Sequence, residues 1–214
     1  SQFALPFGRS MPSEGLSIGQ MCVAVQSLGL APQLLRLDDF EQARWVLRTA
    51  LMSQFAPVLV LQRDDSDENR AVTGVGLCLR QYAEESVADD GIDDATGDVA
   101  AIYVHDDRNG PYVRGNLGAD NGQMTVALQL RDPKNPHEDV WTLSHVLVPT
   151  YPKIRISLIH LKAIGLRLAL ALRAALEQFV EGGPPTVYFH ATVQRSYRYV
   201  ETLMERNAEQ AARV

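Results

Sequence analysis

Three stretches of the chain carry apolar residues at helical spacing, and the stretches between them carry apolar residues in runs or alternation. Ile18, Met21, Cys22, Val25 and Leu28 follow a helical period. Ser17 stands ahead of them to accept from the first free N–H groups, and Gly29 can end the element. Residues 33–37 read as a short extended piece. A second helix follows, capped by Asp38 or Asp39, with Phe40, Ala43, Leu47, Leu51 and Phe55 as its apolar stripe. The pattern then turns sheet-like, with strands expected at 57–62, 71–80, 100–107, 123–130 and 140–149. The acid- and alanine-rich segment 81–98 reads as a solvated loop, and 131–139, with two prolines, as a protruding turn.

Residues 157–180 give the longest helical pattern. Leu158, Leu161, Ile164, Gly165, Leu168, Leu172, Ala175, Leu176 and Phe179 share one broad arc, opposite Lys162, Arg173, Glu177 and Glu181. Leu166 and Leu170 interrupt the polar side, which predicts a second contact, with another part of the chain or with a partner. Arg167 and Arg173 break the apolar stretch short of the roughly 20 residues of a membrane span. The Gly-Gly-Pro-Pro at 182–185 stops the helix, 186–193 reads as a strand, and 195–214 reads as a polar C-terminal helix. Residues 1–13 form an N-terminal arm rich in Gly, Pro and Ser. A single α+β domain is expected over 14–194, with helices first, a mainly antiparallel sheet next and a long helix packed on it. A subdivision near residue 118 stays open, because 116–122 reads as a turn.

Charge and cysteine content narrow the function. The net charge of −6 argues against nonspecific binding to a nucleic-acid backbone, which needs clustered Lys and Arg. Arg195, Arg198 and Arg206, interleaved with Tyr197 and Tyr199, read first as a solvated helix face. Cys22 and Cys78 make no CxxC pair, and the histidines show no ligand spacing, so neither a metal nor a cofactor is expected. Two such cysteines read as reduced thiols of a cytoplasmic protein, with a single bridge left open. No signal-peptide pattern opens the chain. It starts Ser1-Gln2 without a methionine, which reads as an excised or processed piece.

Arg70-Ala-Val-Thr-Gly-Val-Gly76 and the segment 102–112, IYVHDDRNGPY, carry a resemblance. Following two helices and a strand, they resemble the C39-like branch of the papain-like cysteine peptidases over roughly residues 14–118. The resemblance implies a papain-like fold with a cysteine opening the first helix, a histidine beginning the H-A-V-x-x-V-G strand and an acid after the next strand. Arg70 stands at the histidine position, and an arginine is no base near neutral pH. Leu16 or Ser17 stands where the cysteine belongs, and Asp106 or Asp107 keeps the acid. Gln20 matches the oxyanion-hole glutamine in type, although the family sets that residue ahead of its nucleophile.

Each residue also has a plainer reading. Ser17 is then an N-cap, Cys22 and Cys78 are core residues, Arg70 a solvated or salt-bridging residue, His105 structural, and Asp106 and Asp107 turn caps. The sequence therefore points to a catalytically degenerate peptidase homologue, a pseudoenzyme binding protein or peptide in a cleft near Ser17, Gln20, Arg70 and Asp106. One alternative is an active thiol peptidase or acyl-transfer enzyme with Cys22 as nucleophile, His105 as base and Asp106 or Asp107 as orienter. The other is a purely structural α+β domain. The apolar 157–180 helix suits a homo-oligomer or a larger parent protein.

Overall fold

The computed structural model describes residues 15–37, 39–63, 68–79, 92–93, 99–129, 138–154, 156–177, 179, 187–189 and 191–193. The expected arm at 1–13 and helix at 195–214 lie outside them. α1 (Ile18–Ser27) begins at a capping box: Ser17 Oγ accepts from the Gln20 N–H, and the Gln20 side chain accepts from the Ser17 N–H. None of its residues is fully buried; it lies against β1 (Ala31–Arg36) at the side of the molecule. α2 (Phe40–Met52) is capped by Asp39, whose carboxylate accepts from the Gln42 N–H at 2.6 Å. Its apolar stripe understates its burial. All of residues 43–50 are buried, Arg44 and Arg48 included, because α2 lies between strands on one side and a second helix on the other.

The remaining strands are β2 (Val58–Gln62), β3 (Asn69–Leu79), β4 (Ile92–Asp93), β5 (Val99–Asp106), β6 (Gly110–Asp120), β7 (Gln123–Gln129), β8 (Glu138–Thr150) and β9 (Val187–Tyr188). β2, β3, β5, β6, β7 and β8 pair antiparallel in that order, and β8 pairs back onto β2, closing a six-stranded barrel. β1 adds to the later half of β8. Alternate residues of the strands, among them Leu59, Leu61, Val72, Ile102, Val104, Val113, Met124, Val126, Leu128, Trp141 and Leu143, form a continuous buried cluster with α2. The class is thus α+β, with three helices among the described residues and a mainly antiparallel sheet.

Several expectations change. β6 lies where the sequence suggests turn rather than strand, with Gly110 and Pro111 after β5 and Gly118 within 116–122. The barrel needs small residues there: a Cβ on Gly115 would lie 2.7 Å from Val126 Cγ1, and one on Gly118 would lie 2.9 Å from Thr125 Oγ1. Gly118 pairs with Thr125 inside the β6–β7 hairpin, so the barrel runs unbroken through the place where a subdivision stayed open. The turn belongs to Asn121 and Gly122, both at positive φ. Within the expected loop 81–98, Ile92 and Asp93 pair parallel with Val187 and Tyr188 in a two-stranded ribbon.

α3 (Leu158–Leu176) is the expected long helix, but its main supports are α2 and the β4–β9 ribbon rather than the barrel. Its contact face centres on Leu158, Gly165 and Ala169. Gly165 is needed there because Phe189 passes so close that a Cβ would meet its ring at 2.5 Å. Ile164, Leu168 and Leu172 from the predicted arc face outward. No helix among the described residues is long and apolar enough to cross a membrane.

Candidate functional site

An open cleft of about 870 Å³ lies where the N-terminal end of α1 faces the end of β2, the start of β3 and the middle of β8. Leu16, Ser17, Ile18 and Met21 form one wall; Val60, Gln62, Asn69 and Ala71 stand on the strands opposite. A bulge completes the polar side. Val60 pairs with His145 and Leu61 with Leu143, so Ser144 is the extra residue on β8. Ser144 Oγ donates to the Val60 carbonyl at 3.0 Å, and both Ser144 and His145 line the cleft although they are sequence neighbours on a strand. His145 Nδ1 is buried there without a hydrogen-bond partner.

Arg70 and Asp106 meet beside this cleft. Arg70 is the second residue of β3 and Asp106 the last of β5, and both turn into the barrel mouth. Their side chains, 5% and 0% exposed, form an ion pair through Arg70 Nη2 and Asp106 Oδ1. Asp106 also accepts from the Arg108 N–H at 3.1 Å and from Asn109 Nδ2 at 2.8 Å, so its lone pairs are largely satisfied. Around them Asp139 pairs with Arg63 and lies 3.8 Å from Arg70 Nη1. Both arginines lie over the Trp141 ring, with centroid distances of 4.6 Å for Arg63 and 5.7 Å for Arg70. At the rim Arg108 donates to Glu68 at 2.6 Å, and this bond with the attraction behind it raises the Arg108 pKa, leaving a guanidinium charged at every ordinary pH.

Of the residues named from sequence, the structure gathers Ser17, Arg70 and Asp107 on the cleft, with Asp106 just beneath. Gln20 is held by the Ser17 cap. Arg70 is buried and paired rather than solvated. Cys22 is half-buried on α1, and Cys78 is half-buried opposite Ala101 on β3; both are free thiols, so no bridge joins them.

His105 does not join Cys22 and Asp106. Successive residues of β5 point to opposite sides, so His105 is exposed while Asp106 is buried. Its ring packs edge-on against Tyr112 at 5.1 Å, and neither it nor Cys22 lines the cleft. Of the alternative thiol set, the proposed base His105 and one of its two proposed orienters, Asp106, thus lie on opposite faces of one strand, while the other, Asp107, follows the strand and lines the cleft.

Sequence reasoning left out His145, Ser144, Gln62, Asn69, Arg63 and Asp139. Their shared location depends on β8 pairing with β2 and on the bulge. Neither leaves a local signal. No cluster of His, Cys, Asp or Glu among the described residues is arranged to hold a metal ion.

No protein-family model, curated protein or solved structure matches the chain.

Proposed function

We propose that this is a catalytically degenerate, papain-like domain of the C39-like kind that binds a peptide or protein segment in the cleft beside α1. The observation that carries the reading is the Arg70–Asp106 pair beside that cleft. In the family the strand-opening residue is a base held by the acid of the following strand. Here the same two positions touch each other, but the first is a guanidinium with no proton to exchange near neutral pH. Ser17 opens α1 across the cleft with its hydroxyl and amide engaged in capping. What remains suits binding: apolar Leu16, Ile18 and Met21 of one wall face the amide, hydroxyl and imidazole groups of Gln62, Asn69, Ser144 and His145 on the strands, with Val60 among them. Two free cysteines accord with a reducing, cytoplasmic setting, which forms part of the same proposal.

The test is a binding screen of random extended peptides against the immobilised chain, repeated with Ala71→Arg. Ala71 is exposed on the cleft wall, so its substitution fills the cleft without entering the core. Peptides selected by the native chain should bind Ala71→Arg at least tenfold more weakly. Covalent labelling of Ser17 by a fluorophosphonate or of Cys22 by a peptidyl electrophile, accompanied by peptide turnover, would overturn the reading.

A further inference from the structure

α3 carries two apolar faces, and among the described residues only one is packed against other elements. Leu158, Gly165, Ala169 and Leu176 lie toward α2 and the β4–β9 ribbon. On the adjoining face Leu161, Ile164, Leu168, Ala171 and Ala175 repeat at steps of three and four, the spacing that seats a second helix. Ile164, Leu168 and Leu172 on this side are 43%, 66% and 51% exposed. A contiguous apolar stripe of this kind marks an interaction surface.

We propose that the occupant is the chain's own C-terminal segment, 195–214, lying along α3 as a helix. Three observations select it. The first is pattern: Tyr197, Val200, Met204, Ala208 and Ala211 also repeat at steps of three and four, placing an apolar stripe along the segment, with Leu203 and Tyr199 outside it. The second is position and reach. The Val193 N–H donates to Ser53 Oγ at 2.8 Å, beside Phe55, whose ring packs on Tyr151 at 5.4 Å just ahead of α3. The segment therefore sets out near the N-terminal end of α3. At 1.5 Å per residue its 20 residues span about 30 Å, against about 28 Å for the 19 residues of α3.

Charge is the third. Arg167 flanks the centre of the stripe, and α3 has a single acid near it, Glu177 at its C-cap. Two copies of α3 paired antiparallel about Leu168 would set their Arg167 side chains against each other. The 195–214 segment carries Glu201, Glu205 and Glu209 at steps of four among Arg195, Arg198, Arg206 and Arg213, so it can set a carboxylate beside Arg167 where a second α3 can only offer another arginine.

The test is hydrogen exchange of the full chain read by mass spectrometry, with Leu168→Glu and Met204→Glu as variants. Peptides covering 197–211 should exchange at least tenfold more slowly than an unstructured chain. Either substitution should return them to the unstructured rate while β5 keeps its protection. Met204→Glu leaves α3 intact, so its result stands even if Leu168→Glu disturbs the fold. A tail that exchanges freely in the native chain sinks the proposal, as does one whose protection ignores both variants. A third measurement separates the second copy: Leu168→Cys, in a chain with Cys22→Ser and Cys78→Ala, should give no disulfide dimer at micromolar concentration. Efficient dimer formation would assign the stripe to a second copy.

Discussion

Arg70 and Asp106 each have a charge that the barrel mouth shields from water, and each depends on the other to remain there. Removing one leaves the other buried with its desolvation uncompensated, which typically costs about 3–5 kcal/mol. Arg70→Ala is therefore expected to lower stability by that amount in urea titration, with Asn109 and the Arg108 N–H cushioning Asp106 only in part. The double variant Arg70→Met with Asp106→Leu, which removes both charges while keeping bulk over Trp141, is expected to recover most of the loss. A double variant no more stable than Arg70→Ala would mean that the surrounding network, and not this pair, governs the site. Asp106 is one of the two acids, with Asp107, that the sequence singled out, and it is the one that meets Arg70. His105, its neighbour, was harder to place, because a one-residue step along a strand reverses the direction of the side chain.

At the scale of elements, legibility followed locality. Ser17 and Asp39 announce α1 and α2 through hydrogen bonds spanning three residues, and the apolar runs of β2, β3, β5, β7 and β8 mark themselves. β6 did not, because its glycines answer to residues on other strands: Gly115 to Val126, Leu128 and Ile102, Gly118 to Thr125. What looks like turn composition locally is steric necessity globally. Gly115→Ala is accordingly expected to destabilise by about 1–3 kcal/mol through overpacking, more than an ordinary glycine-to-alanine change within a strand. Adding Val126→Ala should return part of that loss, since the nearest obstructing atom is Val126 Cγ1 at 2.7 Å. Independent, additive effects of the two changes in chemical denaturation would contradict this account. The ribbon of β4 and β9 escaped notice for a related reason: two residues on each side, 95 positions apart, leave no periodic trace.

The molecule as a whole is built from a barrel and a helical layer, with one tryptophan reporting on each. Trp141 lies under the arginines at the barrel mouth, while Trp45 is held between α2 and α3, its indole N–H donating to the Leu158 carbonyl at 3.1 Å and its ring 5.6 Å from Phe189. Both belong to one continuous buried cluster, so the two layers should unfold together. Trp45→Phe and Trp141→Phe variants, each leaving one fluorophore, are expected to show coincident transitions in urea once each variant's own stability change is measured by circular dichroism. Fluorescence and dichroism midpoints that separate within one variant would divide the molecule into independent units. That the barrel closes only with β8 is also what the motif-level resemblance, ending near residue 118, did not convey.

β8 pairs with β7 along its first half, with β1 along its second and with β2 across the middle. During synthesis this makes the last barrel strand the one on which the others wait. Ala31 meets Thr150, 119 residues later, so at roughly 5–20 residues per second about 6–24 s separate the emergence of β1 from that of its partner. Through that interval β1 and the β2 edge that will receive β8 are strands without their neighbour, the kind of surface that other nascent chains can pair with. The order in which the ribosome delivers this protein, as much as its final stability, thus decides when it is safe from its own edges.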